Sequence, residues 1–173
     1  MDYNVKIKFY DNALEPELCR ELYKDSVSRL KNGDAQWKTN YWWNQSIINE
    51  SHVVLVHDYN ADRTNTILES LIRNGVVDDK EYHVMNYIWT RTSYIPWHGD
   101  GHVSEGLTIY LNEYWDDNWG GFFLYREKDR DPHLKGYVPR FNTACKNFGN
   151  VEHTVTTINP AAQNRVTLQL FRK

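Results

Sequence analysis

The chain has 173 residues, which suits one domain with a core of its own, and 40% of them are hydrophobic, so a globular fold is expected rather than disorder. A net charge of −3 gives no electrostatic reason to expect nucleic acid or an anionic membrane as a partner, and no apolar run approaches the roughly 18 residues of a membrane span. Cys19 and Cys145 form neither a framework nor a C-x-x-C pair, so both read as small core residues of a chain kept in a reducing compartment, the cytoplasm. Asn44-Gln-Ser and Asn49-Glu-Ser match the glycosylation pattern, but no signal peptide precedes them, and both read as chance.

Residues 5–10 alternate apolar and polar and predict a strand. The following Asp-Asn-Ala-Leu-Glu-Pro-Glu is a helix start, with proline in the first turn among acidic neighbours. The helix is expected over 15–30, with Leu14, Leu18, Leu22, Tyr23, Val27 and Leu30 on one face. Residues 36–60 read as strand and loop. A second amphipathic helix is expected over 64–73, closed by Asn74-Gly75. Beyond Asp79 the period becomes that of strands, expected at 82–91, 95–100, 107–112, 121–125, 140–144, 153–158 and 165–171. Two helices followed by many short strands predict an α+β chain whose second half is an antiparallel sandwich or jelly roll.

Aromatic residues make up 14% of the chain, including seven Trp and twelve Tyr. Trp37, Trp42 and Trp43 cluster near the start, while Trp89, Trp97, Trp115 and Trp119 flank a run that carries chemistry, Tyr94-Ile-Pro-Trp-His98-Gly-Asp100. Residues 98 and 100 on one strand point to the same face, so an imidazole and a carboxylate reach one metal together. His102 is a rival ligand, but an extended strand places it about 13 Å from residue 98, at about 3.3 Å per residue. His153, far along the chain, is available as a third ligand. Two histidines and one carboxylate leave open positions and suit Fe(II), although zinc takes the same ligand types.

Further motifs follow in order: Leu-Thr-Ile-Tyr110-Leu-Asn, Trp119-Gly-Gly-Phe-Phe-Leu, Val138-Pro-Arg-Phe-Asn-Thr, Glu152-His-Thr-Val and Asn164-Arg-Val-Thr-Leu-Gln-Leu-Phe171. With the opening Phe9-Tyr-Asp-Asn-Ala-Leu-Glu-Pro-Glu-Leu-Cys, this set resembles the 2-oxoglutarate- and Fe(II)-dependent oxygenases, most closely their prolyl 4-hydroxylase-like branch. The resemblance implies a double-stranded β-helix (jelly roll) with N-terminal helices packed on one sheet. It also implies a single domain over 1–173, with helical support over 11–75 and a jelly-roll core over 80–172.

By the same resemblance, His98, Asp100 and His153 are the Fe(II) ligands, and Arg165 holds the distal carboxylate of the co-substrate 2-oxoglutarate. Tyr110 reaches the same carboxylate, Thr167 adds a hydroxyl, and Tyr87 lies on the co-substrate side. A guanidinium suits this task because it donates two parallel hydrogen bonds. The spacing from His153 to Arg165 is longer than the pattern, which leaves Arg172 or a lysine as an alternative anchor. The implied reaction consumes O2, with ascorbate in support, and hydroxylates an unactivated C–H bond with release of succinate and CO2. A prolyl residue of a protein or peptide is the expected substrate, with Arg91, Trp97, Trp115 and Trp119 as cleft residues. A free amino acid or small metabolite is the alternative, as is a jelly-roll binding module without turnover.

Overall fold

The computed structural model describes residues 6–33, 37–39, 54–101, 104–128, 130–148 and 151–173. Trp42, Trp43, His102 and both glycosylation-like triplets lie outside the described residues. Strand β1 (Ile7–Tyr10) leads into helix α1 (Pro16–Lys31). Strands β2 (Lys38–Thr39) and β3 (Val54–Asp58) precede helix α2 (Ala61–Arg73). The remainder is β4 (Tyr82–Trp89), β5 (Ile95–His98), β6 (Glu105–Tyr110), a 3-10 turn at Asp117–Trp119, β7 (Phe123–Tyr125), β8 (Lys135–Tyr137), β9 (Ala144–Phe148), β10 (His153–Val155) and β11 (Arg165–Arg172).

The strands form two antiparallel sheets, a larger one ordered β1-β9-β6-β11-β4-β3-β2 and a smaller one ordered β5-β10-β7-β8. Both helices bury their apolar stripes on one face of the larger sheet. Cys19 and Leu22 of α1 and Ile67 and Leu71 of α2 share a core with Val84, Ile88, Ile109, Leu168 and Leu170. The opposite face of that sheet turns Met85, Tyr87 and Trp89 toward Ile95 and Val155 of the smaller sheet. The period of two along each strand thus separates a helix-facing core from an interior between the sheets. This is the α+β double-stranded β-helix expected from the sequence.

Local chemistry explains most element boundaries. Pro16 opens α1, and the buried side chain of Asn142 holds its entry by accepting from Leu14 N (2.9 Å) and donating to Leu14 O (2.7 Å). Helix α2 begins three residues earlier than its apolar period indicates, because the Asn60 side chain accepts from Arg63 N and caps a polar first turn. Gly75, at φ +67°, closes it.

Strand β8 is not expected from the sequence, the strands expected over 82–91, 121–125 and 153–158 are shorter than their patterns, and three further assignments change. The strand expected over 140–144 lies at Ala144–Phe148, since Asn142 sits at φ +56° and turns the chain there. Strand β5 ends at His98 rather than at residue 100. Strand β6 runs over 105–110 rather than 107–112, beginning at a buried Glu105 that pairs with Lys146 (2.8 Å) and accepts from Tyr82 Oη (2.7 Å). No helix among the described residues is long and apolar enough to cross a membrane.

Candidate active site

His98 ends β5 and His153 begins β10, and the two are direct register partners in the smaller sheet. Asp100 lies past the end of β5, where Gly101 at φ +66° turns the chain, so it joins the histidines through a turn and not through strand alternation. Its Oδ1 is 3.8 Å from His98 Nε2 and 3.7 Å from His153 Nε2. Among the described residues, these three form the one group of three or more His, Cys, Asp or Glu residues whose ligating atoms lie within 4.8 Å of one another.

Each imidazole is fixed by its own chain. The Nδ1 of His98 is 2.8 Å from Pro96 O, and that of His153 is 2.8 Å from Val151 O. A carbonyl accepts only, so Nδ1 carries the proton in both rings and each Nε2, within 3.8 Å of Asp100 Oδ1, is left with a lone pair. Burial pushes the His98 pKa down to about 4, and the neighbouring His153 pushes the same way, against smaller opposing effects of Pro96 O and Asp100. A neutral imidazole is the metal-binding form. The donor set and geometry therefore suit a divalent ion with open positions.

The triad opens on a cavity of about 480 Å³ between the sheets. Its wall is mostly apolar, with Met85, Tyr87, Trp89, Ile95, Phe123 and Val155 prominent. Polar groups on it include Thr108, Asn147 and Gln169, with Thr108 Oγ1 donating to Gln169 Oε1 at 2.8 Å. The inward face of β11 carries Arg165, Thr167, Gln169 and Phe171 in succession.

Arg165 is 1% exposed, and no carboxylate accompanies it among the described residues. Its Nη1 donates to Gly121 O, its Cζ lies 4.2 Å from the Trp89 ring centre and 5.8 Å from that of Tyr110, and its Nε has no hydrogen-bond partner among the described residues. Burial lowers its pKa to about 10, which Tyr110 partly offsets. Gly121, the residue whose carbonyl accepts from the guanidinium, sits at φ +66°, a conformation L side chains rarely adopt, and a Cβ there would crowd Ile158 (3.2 Å) and Trp115 (3.3 Å). Arg172 is different: it lies 3.7 Å from Glu105 and 3.8 Å from Asp78, both carboxylates. A buried guanidinium without a countercharge fits a site that takes an anion.

Tyr110 and Thr167 are opposite one another on β6 and β11, and Thr167 is opposite Tyr87 on β4. Thr167 Oγ1 accepts from Trp89 Nε1 at 3.1 Å. Tyr87 lines the cavity, whereas Arg165, Tyr110 and Thr167 lie beyond its lining, at the end marked by Trp89.

The four residues expected to line a substrate cleft do not line this cavity. Arg91 Nε donates to Ala162 O (3.0 Å), and Trp97 lies under Arg126, with Cζ 4.0 Å from its ring centre. Trp115 is buried with its Nε1 donating to Gly120 O (2.9 Å), and Trp119 packs edge-on against it. Of the four tryptophans that flank the run from Tyr94 to Asp100 in sequence, Trp89 does line the cavity, and so does Asn147, which the sequence does not single out. Asn147 falls between the strands expected at 140–144 and 153–158, and the alternation that turns it inward becomes visible only once β9 is placed at 144–148.

No protein-family model and no curated protein sequence matches the chain. Its fold is nevertheless similar to that of solved structures. A prolyl hydroxylase from Trichoplax adhaerens, in complex with a hypoxia inducible factor oxygen degradation domain peptide fragment, superposes with a TM-score of 0.76 at 13% identity, over 99% of this chain and 84% of that one. A prolyl-4-hydroxylase from Pseudomonas putida gives 0.72 at 14% identity, over 97% and 93%. HygX from Streptomyces hygroscopicus, with nickel, 2-oxoglutarate and hygromycin B bound, gives 0.66 at 8% identity, over 98% and 83%. At such identities the likeness is one of fold alone: the chain shares the double-stranded β-helix of these proteins.

Proposed function

We propose that this chain is an Fe(II)- and 2-oxoglutarate-dependent dioxygenase that hydroxylates an unactivated C–H bond, with a prolyl residue of a protein or peptide as the favoured substrate. The observation that carries the reading is the pairing of two features on one interior: a His-Asp-His cluster with both Nε2 atoms within 3.8 Å of one carboxylate oxygen, and a buried guanidinium without a countercharge among the described residues. Fe(II) with bound 2-oxoglutarate supplies the oxidising chemistry, taking up O2 and releasing succinate and CO2.

The chain's own residues bind, orient and exclude water. His98, Asp100 and His153 hold the metal through Nε2, Oδ1 and Nε2. Arg165 receives the far carboxylate of 2-oxoglutarate, with Tyr110 and Thr167 beside it and Tyr87 on the cavity wall toward the metal. The Trp89 indole covers the guanidinium and lines the cavity at the same time, so it would border the bound co-substrate. The apolar wall keeps the reacting centre dry. No side chain is needed as a general acid or base.

A peptide substrate is supported by the neighbour that holds a peptide fragment, and a small-molecule substrate by the neighbour that holds hygromycin B. One experiment separates them: incubation with Fe(II), 2-oxoglutarate and a library of proline-containing peptides beside a panel of free amino acids and small metabolites. Gain of one oxygen atom by mass spectrometry, matched by succinate, is the expected result for a peptide. Oxygen gain confined to the small molecules would reverse the substrate preference, and neither oxygen gain nor succinate in any well would overturn the reading.

A further inference from the structure

We infer that Asn147 is a positioning residue which, with Gly106 opposite it, reserves one oxygen of Asp100 and leaves the other for the metal. The inference rests on the proposal that the triad holds a divalent ion.

Asn147 and Gly106 are direct register partners on β9 and β6, so they form two sides of one socket. Asn147 Nδ2 donates to Asp100 Oδ2 at 3.0 Å, while Asp100 Oδ1 is the oxygen facing both imidazoles. A Cβ at position 106 would lie 3.2 Å from Oδ2 and 3.6 Å from the Phe171 ring, so glycine is what lets the carboxylate reach the amide.

The amide itself argues for this role. A carboxylate accepts only, so the nitrogen end of Asn147 must face Asp100 and the oxygen end must face away. That oxygen is buried without a hydrogen-bond partner among the described residues, on a side chain that is 5% exposed. A half-satisfied buried amide is costly, and an apolar residue of the same size would pack there without that cost. The gain that offsets it is the fixed carboxylate: with Oδ2 held, Asp100 offers one oxygen, and the other coordination positions stay open.

The test titrates the intact chain with Mn(II) alone, following free Mn(II) by electron paramagnetic resonance, with thermal unfolding in the absence of metal as the second readout. Asn147→Leu keeps the shape and removes the donor. Gly106→Ala adds the crowding methyl at a backbone conformation open to any residue, and keeps the proposal testable should the first variant fold poorly. Both variants are expected to weaken Mn(II) binding by roughly 10–100-fold. Unaltered Mn(II) affinity in a folded variant, whatever its unfolding temperature, would overturn the positioning role while leaving the metal centre in place. Failure of the unaltered chain to bind Mn(II) would overturn both.

Discussion

The guanidinium of Arg165 lies 4.2 Å from the indole of Trp89, its direct register partner on β4, and the indole is in turn tethered to Thr167 by a 3.1 Å hydrogen bond. The cation is therefore held by a ring face and a backbone carbonyl, neither of which neutralises it. Replacing Arg165 by Met should remove 2-oxoglutarate binding and leave Mn(II) binding nearly intact, read by calorimetric titration of each ligand. With no ligand present, the same variant should unfold at a higher temperature, by up to about 2 kcal/mol of stability, because an uncompensated buried charge is lost. Unchanged 2-oxoglutarate affinity would place the anchor elsewhere.

His98→Ala and His153→Ala should each abolish Mn(II) or Fe(II) binding, since two ligands seldom hold a labile divalent ion in competition with water. His153 is more deeply embedded, 5.1 Å from the Phe123 ring centre, and its removal should also destabilise the chain by about 1–3 kcal/mol. Circular dichroism of the metal-free variants separates loss of binding from loss of fold.

Asn142 ties the entry of α1 to the turn that leads into β9. Asn142→Ala strips Leu14 of both hydrogen bonds and leaves a Cβ residue at φ +56°, so a loss of about 3 kcal/mol is expected from the urea midpoint. Asn142→Gly should recover roughly 1 kcal/mol of that loss through the backbone alone.

Stability should fall on the alkaline side. Burial pushes Cys19 up to about 12 and raises both Cys145 and Tyr110 above their usual ranges. For such groups the unfolded chain loses its protons first, so their contribution is complete below about pH 9 and is lost as pH rises beyond it. Arg165, lowered by burial, acts in the opposite sense only above about pH 10. Melting temperatures measured from pH 8 to 11 should decline; a flat profile would contradict the burial of these groups.

Much of this architecture is legible in the sequence, because its signals are periodic. The leucines of α1 and the apolar alternation of β4 and β11 are readable without coordinates. What was misread is where a local exception interrupts the period. Glu105 hides the start of β6 because its charge is neutralised by Lys146, a residue far along the chain. Asn142 continues an apparent strand that its left-handed backbone in fact breaks. The triad was legible from residue types and spacing, although the strand geometry invoked for Asp100 is not the one adopted. The isolation of Arg165 was not legible, since the absence of a countercharge is a property of the whole interior.

The pairing of His98 with His153 has a consequence for local opening. Among the described residues β5 is an edge strand of four residues, held in its sheet by β10 alone, and its register with β10 slips between His153 and Val155. Such an edge should be among the first parts of the smaller sheet to fray. An ion gripped by both histidines bridges the two strands at that irregular end, so its binding free energy includes the work of seating β5. If the triad holds an ion as proposed, amide hydrogens of β5 and β10 should exchange more slowly in its presence, and part of its affinity would be, in thermodynamic terms, the closing of a strand.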